Sequence, residues 1–380
     1  MDFVFSFAYF VAPCAFKKVD GGNKIFFSKR VVFPFVKKSF LQKYRGEILP
    51  THNPASNHQT SQKTSQNPNC QNLLQNPNQY LKQDFTKQDF AQNPQQTQNL
   101  AKNPPQNFAQ NPSLPHNKVA IFIGCLANYN YIEVGESLLK ILDSLHIKAL
   151  VPKQECCGAP AYFTGDIDTV LFLIKRNIEL FEGFIDEVDA ILIPEATCAA
   201  MLMVDWAHAL NAEKNENERA KWQKRLAKLT PKMAMASKWL QNHTKLESIL
   251  KSSAKNIASK KDFAPQTLTY HDPCHAKKVL KVHKEPRALL SPNYEIKEMS
   301  EPDRCCGFGG VSMQLDRYAL TLEAGKPKAD MIEKSGAQII SAECSACRMQ
   351  ITNAMSQNNV KARFAHPLEL IAQKLPQNPY

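Results

Sequence analysis

The stretch RCCGFGG at 304–310 repeats ECCGAPA at 155–161 after a shift of 149 residues. The shift extends well past the loops. Cys125, Cys156, Cys157 and Cys198 return as Cys274, Cys305, Cys306 and Cys347. The second copy reads Cys274, thirty residues, Cys305-Cys306, thirty-seven residues, then Cys344-x-x-Cys347. The first copy keeps every spacing but has Glu195 where the second has Cys344. A duplicated unit that holds its thiols in register points to a soft-metal site, with iron–sulfur the first expectation.

The apolar pattern between the thiols sets the fold class. Short apolar runs at 118–124, 147–151 and 190–194 read as buried strands, with helical spacing over 132–146 and 166–182. The second half repeats the order, with strands at 266–271, 294–299 and 337–341 and a further short one at 361–365. Pro286 is expected to break a helix near 275–290, and Gly325-Lys-Pro327 to interrupt the next. Alternation of strand and helix argues for two duplicated α/β halves with parallel strands. Each cysteine group follows a strand. Loops at the carboxyl ends of parallel strands share one sheet edge, so thiols far apart in sequence can meet there.

The expected organisation is a basic, aromatic segment at 1–50, a disordered linker at 51–117, a first cysteine-rich domain at 118–205, a helical connector at 206–262 and a second cysteine-rich domain at 263–375. The linker holds 13 Asn, 14 Gln and 8 Pro, with Gln-Asn-Pro recurring four times. It has too few apolar groups to offset the entropy of ordering. The net charge of +12 is concentrated before residue 119, where 14 Lys and Arg face 5 Asp and Glu. A solvated basic tail accounts for it, and no nucleic-acid partner is expected. The leader-like run MDFVFSFAYFVAPC carries Asp2 where a signal peptide needs positive charge, and it is too short to span a bilayer. Membrane contact is at most peripheral. Eleven cysteines without an export signal suit reduced thiols in the cytoplasm better than disulfides. Cys14 and Cys70 fall outside both repeats and take no role.

Cys274, Cys305, Cys306, Cys344 and Cys347 form the stronger candidate site. Five thiolates exceed the four of a tetrahedral zinc site or an ordinary cubane cluster. Cys125, Cys156, Cys157 and Cys198 suffice for a cluster or for zinc. Glu195 is either a hard oxygen ligand in soft surroundings or a surface-directed residue at a site that lost a ligand. Gly158 and Gly307 follow the paired cysteines, where a sharp turn lets backbone N–H groups approach sulfur. His275, Lys277, Arg304 and Arg348 are basic neighbours that would raise a cluster's potential. His275 and Arg304, with the two glycines, are the expected cofactor contacts. His271, which with His275 flanks Cys274, is read as a hydrogen-bonding neighbour. No nucleophile–base pair is evident, and the catalytic residues are unassigned.

The motifs GC (124–125), ECCGAPAYFTGD (155–166), PEATC (194–198), YHDPCH (270–275), RCCGFGG (304–310) and ECSAC (343–347) resemble the cysteine-rich "CCG" domain family. Members include a subunit of heterodisulfide reductase, the lactate-utilisation protein A type, and the iron–sulfur subunits of glycolate oxidase and anaerobic glycerol-3-phosphate dehydrogenase. The resemblance implies a 4Fe-4S cluster, noncubane in the heterodisulfide branch, on the five second-half cysteines. It implies iron–sulfur or zinc on the four first-half cysteines. It also implies an electron-transfer subunit of a lactate or glycolate oxidoreductase, docked to an FAD-containing dehydrogenase and a ferredoxin-domain subunit, at the inner face of the membrane through that complex. Glycolate-oxidase subunits usually carry an N-terminal ferredoxin-like domain that this chain lacks, as does the lactate-utilisation type. Thiol–disulfide reduction at the cluster is the second function class, and a zinc-stabilised scaffold the third.

Overall fold

The computed structural model describes residues 16–19, 22–25, 30–50, 118–258, 264–310 and 316–376. The leader-like run, the 51–117 linker, Cys14 and Cys70 lie outside the described residues. The strands β1 (Phe16–Val19), β2 (Gly22–Ile25) and β3 (Val31–Val32) form a separate antiparallel sheet.

The first main sheet contains β4 (Gly46–Ile48), β5 (Lys118–Ile121), β6 (Lys148–Val151), β7 (Ala190–Ile193) and β8 (Met233–Met235). Strand β5 is buried along nearly its whole length and lies between parallel neighbours β6 and β7. Two-sided burial of this kind is what a continuous apolar run such as KVAIFI demands. The sheet order is β4-β6-β5-β7-β8, with β4 antiparallel to β6 and β8 parallel to β7. The second main sheet contains β9 (Thr267–Tyr270), β10 (Glu295–Ile296), β11 (Ile339–Ser341) and β12 (Arg363–Ala365), all parallel, in the order β10-β9-β11-β12. Leaving β4 aside, both halves run second-first-third-fourth. Strand order therefore reverses beside the first strand of each half, and a crevice opens there at the carboxyl edge.

The segment expected to be a connector, 206–262, is also part of the first main sheet. It supplies β8, preceded by helix Glu216–Leu229, and then helices Ala236–His243 and Leu246–Ala258. In the first half, α1 (Glu133–Ser144) buries Val134, Leu138, Ile141 and Leu142 along one face. The following helix, α2 (Ile167–Glu182), is opened by Asp166, whose side chain accepts from Thr169 N. Helix α3 (Ala236–His243) follows β8. In the second half, α4 (Lys284–Leu290) matches α1 in order, and α5 (Pro367–Lys374) follows β12 as α3 follows β8. The closing helices are exchanged: α5 of the second half packs on α1 of the first, and α3 of the first packs on α4 of the second.

Two expected breaks fall elsewhere. Pro286 sits in the first turn of α4, where its missing N–H leaves no bond unmade. The interruption comes earlier, at Lys281, whose φ of 59° ends a π-turn over His275–Val279. Helix Tyr318–Ser335 runs through Pro327 unbroken. Gly325 is needed there for packing, since a Cβ would lie 2.6 Å from Gln350 Nε2 of the neighbouring helix.

Residues 30–50, part of the basic, aromatic segment to which the sequence assigned no structure, join both halves. Val31 N donates to Asn353 Oδ1 (3.1 Å), and Leu41 N donates to Asn128 Oδ1 (2.8 Å). Phe40 is fully buried against Gly135 of α1, where any Cβ would overlap its ring. Phe40→Ala is expected to destabilise the folded chain by about 3 kcal/mol or more. Equilibrium unfolding of full-length protein reads this directly, and a change under about 0.5 kcal/mol, the scale of surface substitutions, would show that the segment is dispensable.

Candidate metal centres

Each half gathers its thiols into one connected row. In the second, Cys274 meets Cys305, Cys305 meets Cys306, Cys306 meets Cys347 and Cys347 meets Cys344 through successive side-chain hydrogen bonds. Cys306 Sγ lies 3.3 Å from Cys347 Sγ. In the first half the row runs Cys125, Cys156, Cys157, Cys198. The rows sit at the crevices that the strand order opens.

Both rows hold their charge in the same place. Cys305 is pulled down to about 2, chiefly by the hydrogen bond from Cys274 and then by that from Cys306. Cys156 is pulled down to about 3 by Cys125 and Cys157. The first member of each Cys-Cys pair is therefore held toward the thiolate, the form that binds metal, and in the second row Cys344 is lowered as well, chiefly by Cys347. The neighbours of that first member are pushed up in turn: Cys306 rises to about 12 under the hydrogen bond to Cys305 and its own burial. Gly158 and Gly307 both have φ of 86°, and their N–H groups reach back to Cys156 Sγ (3.5 Å) and Cys305 Sγ (3.4 Å). Any side chain at 307 would strike the Ala324–Gly325 backbone within 3.0 Å. Cys305 is the one exposed thiol among the nine described.

Glu195 is neither a surface residue nor turned toward its own row. It is 4 % exposed, and its carboxylate accepts from Ser345 N and Ser345 Oγ, both at 2.6 Å. Ser345 opens the helix Ser345–Gln357 that carries Cys347, with Cys344 just before it. Glu195 thus caps the ligand-bearing helix of the opposite half. Beside it, Ala196 N donates to Glu343 O (2.8 Å) and Thr197 Oγ1 lies 3.5 Å from Cys344 Sγ. Thr197 also meets His275 Nδ1 at 3.1 Å, and the His275 ring stacks on Phe163. Cys198, next to Thr197, is close enough to Cys344 for that charge to help push its thiol up. The two rows therefore adjoin.

The expected cations are placed differently. Arg304 is exposed and pairs with Glu301 at 3.5 Å. Arg348 turns between the halves, bonded to Glu369 (2.5 Å) and lying 4.5 Å over the Tyr131 ring. Lys277 bridges Asp272 and Asp303. A fully buried cation beside the second row is Lys328, which sequence reading missed because one lysine among many on a charged helix carries no signal. It is fully buried, and Nζ donates to Glu301 O (2.9 Å) and Pro302 O (3.4 Å), with Met299 Sδ at 3.5 Å. Three acceptors match the three protons of an ammonium. Burial pulls Lys328 down to about 8, and the neighbouring Cys306 and Cys347 oppose that shift.

The cysteine-rich domain family, CCG, matches residues 119–203 and again 268–352. The chain is 28% identical to an uncharacterized iron-sulfur protein of Methanococcus maripaludis over 63% of this chain and 42% of that one. It is 28% identical to a fumarate reductase (CoM/CoB) subunit of Methanothermobacter marburgensis over 68% and 46%. With lactate utilization protein A of Bacillus cytotoxicus it shares 27% identity over 67% of this chain and 98% of that protein. The chain spans under half the length of the first two and nearly all of the third. Both matched stretches begin with a first strand and end in the helix bearing the last cysteine of a row, so the chain carries two cysteine-rich CCG domains in tandem.

Proposed function

We propose that this chain is an iron–sulfur electron-transfer subunit of a hydroxy-acid oxidoreductase complex, acting on lactate or glycolate. The carrying observation is the single connected row of Cys274, Cys305, Cys306, Cys347 and Cys344. All its donors are soft sulfur, it already holds a thiolate, and Lys328 supplies opposing charge within the same buried region. These features fit a 4Fe-4S cluster on the five second-half thiols, and Cys125, Cys156, Cys157 and Cys198 fit a second cluster or zinc. Iron–sulfur relatives and the name of the lactate utilization protein support the assignment. A bound cluster would accept and release single electrons. The chain's own part is to fix the thiolates, donate Gly158 and Gly307 N–H groups to sulfur, bury Cys306, Cys344 and Cys347, and bring the two rows together at Thr197. The hydroxy-acid chemistry belongs to an FAD-containing dehydrogenase partner, with a quinone or other carrier downstream.

A second reading is thiol–disulfide reduction, favoured by the exposure of Cys305 at the open end of a row whose Cys306, Cys344 and Cys347 are buried. A disulfide sulfur can reach it from solvent. An artificial-donor disulfide reductase assay separates the two functions.

Protein purified without oxygen is expected to contain iron and sulfide. Cys305→Ser and Cys344→Ser should each lose the second-half cluster and abolish electron transfer from the flavoprotein. Undiminished turnover in both variants would refute the role. A zinc-only, colourless protein would support the scaffold alternative instead.

Lys328→Met removes the buried charge while keeping the chain's length. The midpoint potential of the second-half cluster should fall by about 59 mV or more, a tenfold change in a one-electron equilibrium. Redox titration measures it. An unchanged potential would show that Lys328 serves only the backbone carbonyls it touches.

A further inference from the structure

His271 has a ring nitrogen that the row of thiols leaves without a partner. The residue is fully buried just past the carboxyl end of β9, beside the second row. Its Nδ1 lies 3.0 Å from the carbonyl oxygen of Pro302. A carbonyl only accepts, so Nδ1 carries the proton, and in a neutral imidazole Nε2 then presents a bare lone pair. Burial holds the ring neutral, well below its ordinary range. Nε2 has no hydrogen-bond partner among the described residues. A ring nitrogen of His271, Cys306 Sγ and Cys347 Sγ all lie within 4.8 Å of one another.

The three atoms form a donor set suited to an electrophile. Once Cys306 and Cys347 are thiolates they have no proton to give Nε2, and lone pair faces lone pair in a buried site. A metal ion among the three atoms removes the conflict. Fixing the distal N–H of an imidazole on a backbone carbonyl is how protein structures orient a histidine toward metal. Lys328 strengthens the frame, since it donates to the same Pro302 oxygen. The first half lacks all of this: at the equivalent register stands Phe122, fully buried. There the loop after β6 is braced by neutral amides, with Asn177 Nδ2 on Cys156 O (3.1 Å) and Gln154 Nε2 on Pro152 O (3.3 Å).

We propose that His271 Nε2 is a metal ligand of the second centre, beside Cys306 and Cys347, and that the first centre has no nitrogen donor. The assignment rests on the iron–sulfur reading above. The imidazole is a neutral donor, so it completes the site without adding to the negative charge of the five thiolates.

The test uses full-length chain purified without oxygen from cells supplied with 14N- or 15N-histidine. Pulsed EPR hyperfine spectra of the cluster signal that Cys344→Ser abolishes are expected to show a directly bound nitrogen that responds to the isotope. The coupling should vanish in His271→Phe, which installs the first half's residue, while iron and sulfide are retained. Should His271→Phe not fold, His271→Asn is read in the same way. A cluster without isotope-sensitive coupling, or coupling that survives the substitution, overturns the ligand and leaves the electron-carrier reading standing. Wild-type protein without iron and sulfide overturns both.

Discussion

The bond between Glu195 and Ser345 is the clasp on which the arrangement depends. A fully desolvated carboxylate is tolerable only when its oxygens are hydrogen-bonded, and here both are satisfied by one residue of the other half. Ser345 stands between Cys344 and Cys347, so the clasp fixes the start of the helix from which both sulfurs project. The neighbouring Ala196–Glu343 backbone bond and the Thr197–Cys344 contact follow from the same closeness. The position that fails to match a ligand in the first half thus orders the ligands of the second.

Much of this was legible in the amino-acid order. The strands at 148–151, 190–193 and 339–341 lie inside the runs expected from apolar pattern. The rows of thiols follow from a repeat with constant offset, because equal spacings on equal folds place equal atoms. What escaped detection depends on tertiary partners. The strand Met233–Met235 is three residues long and hidden in a charged, helical stretch. Glu195 reads as a lost ligand because nothing in one half reveals that Ser345 of the other will meet it. Arg304 and Lys328 show the same limit: proximity in sequence put the first beside the thiols, and folding put the second there. His271 was legible as a neighbour of Cys274, but its unpaired nitrogen was not.

Duplication has left the framework symmetric and its lining unequal. Where one half places Phe122, the other places His271; where one braces its loop with Asn177 and Gln154, the other uses Lys328. A cation, an imidazole and a fifth thiol all fall on the second side. Two centres of equal make-up would exchange electrons without preference. Under the proposed function, unequal surroundings would give the pair a direction, and Thr197 sets the two rows side by side.

The exchanged closing helices bear on how the protein is made. While the ribosome is still extending the chain, Ala236–His243 can rest on β7 and β8, but the face that meets 284–290 waits for that helix, and the face of Glu133–Ser144 that meets Pro367–Lys374 waits until nearly the last residue. Contacts so distant in sequence form late and leave apolar faces open meanwhile. Completion of each half therefore waits on a helix of the other.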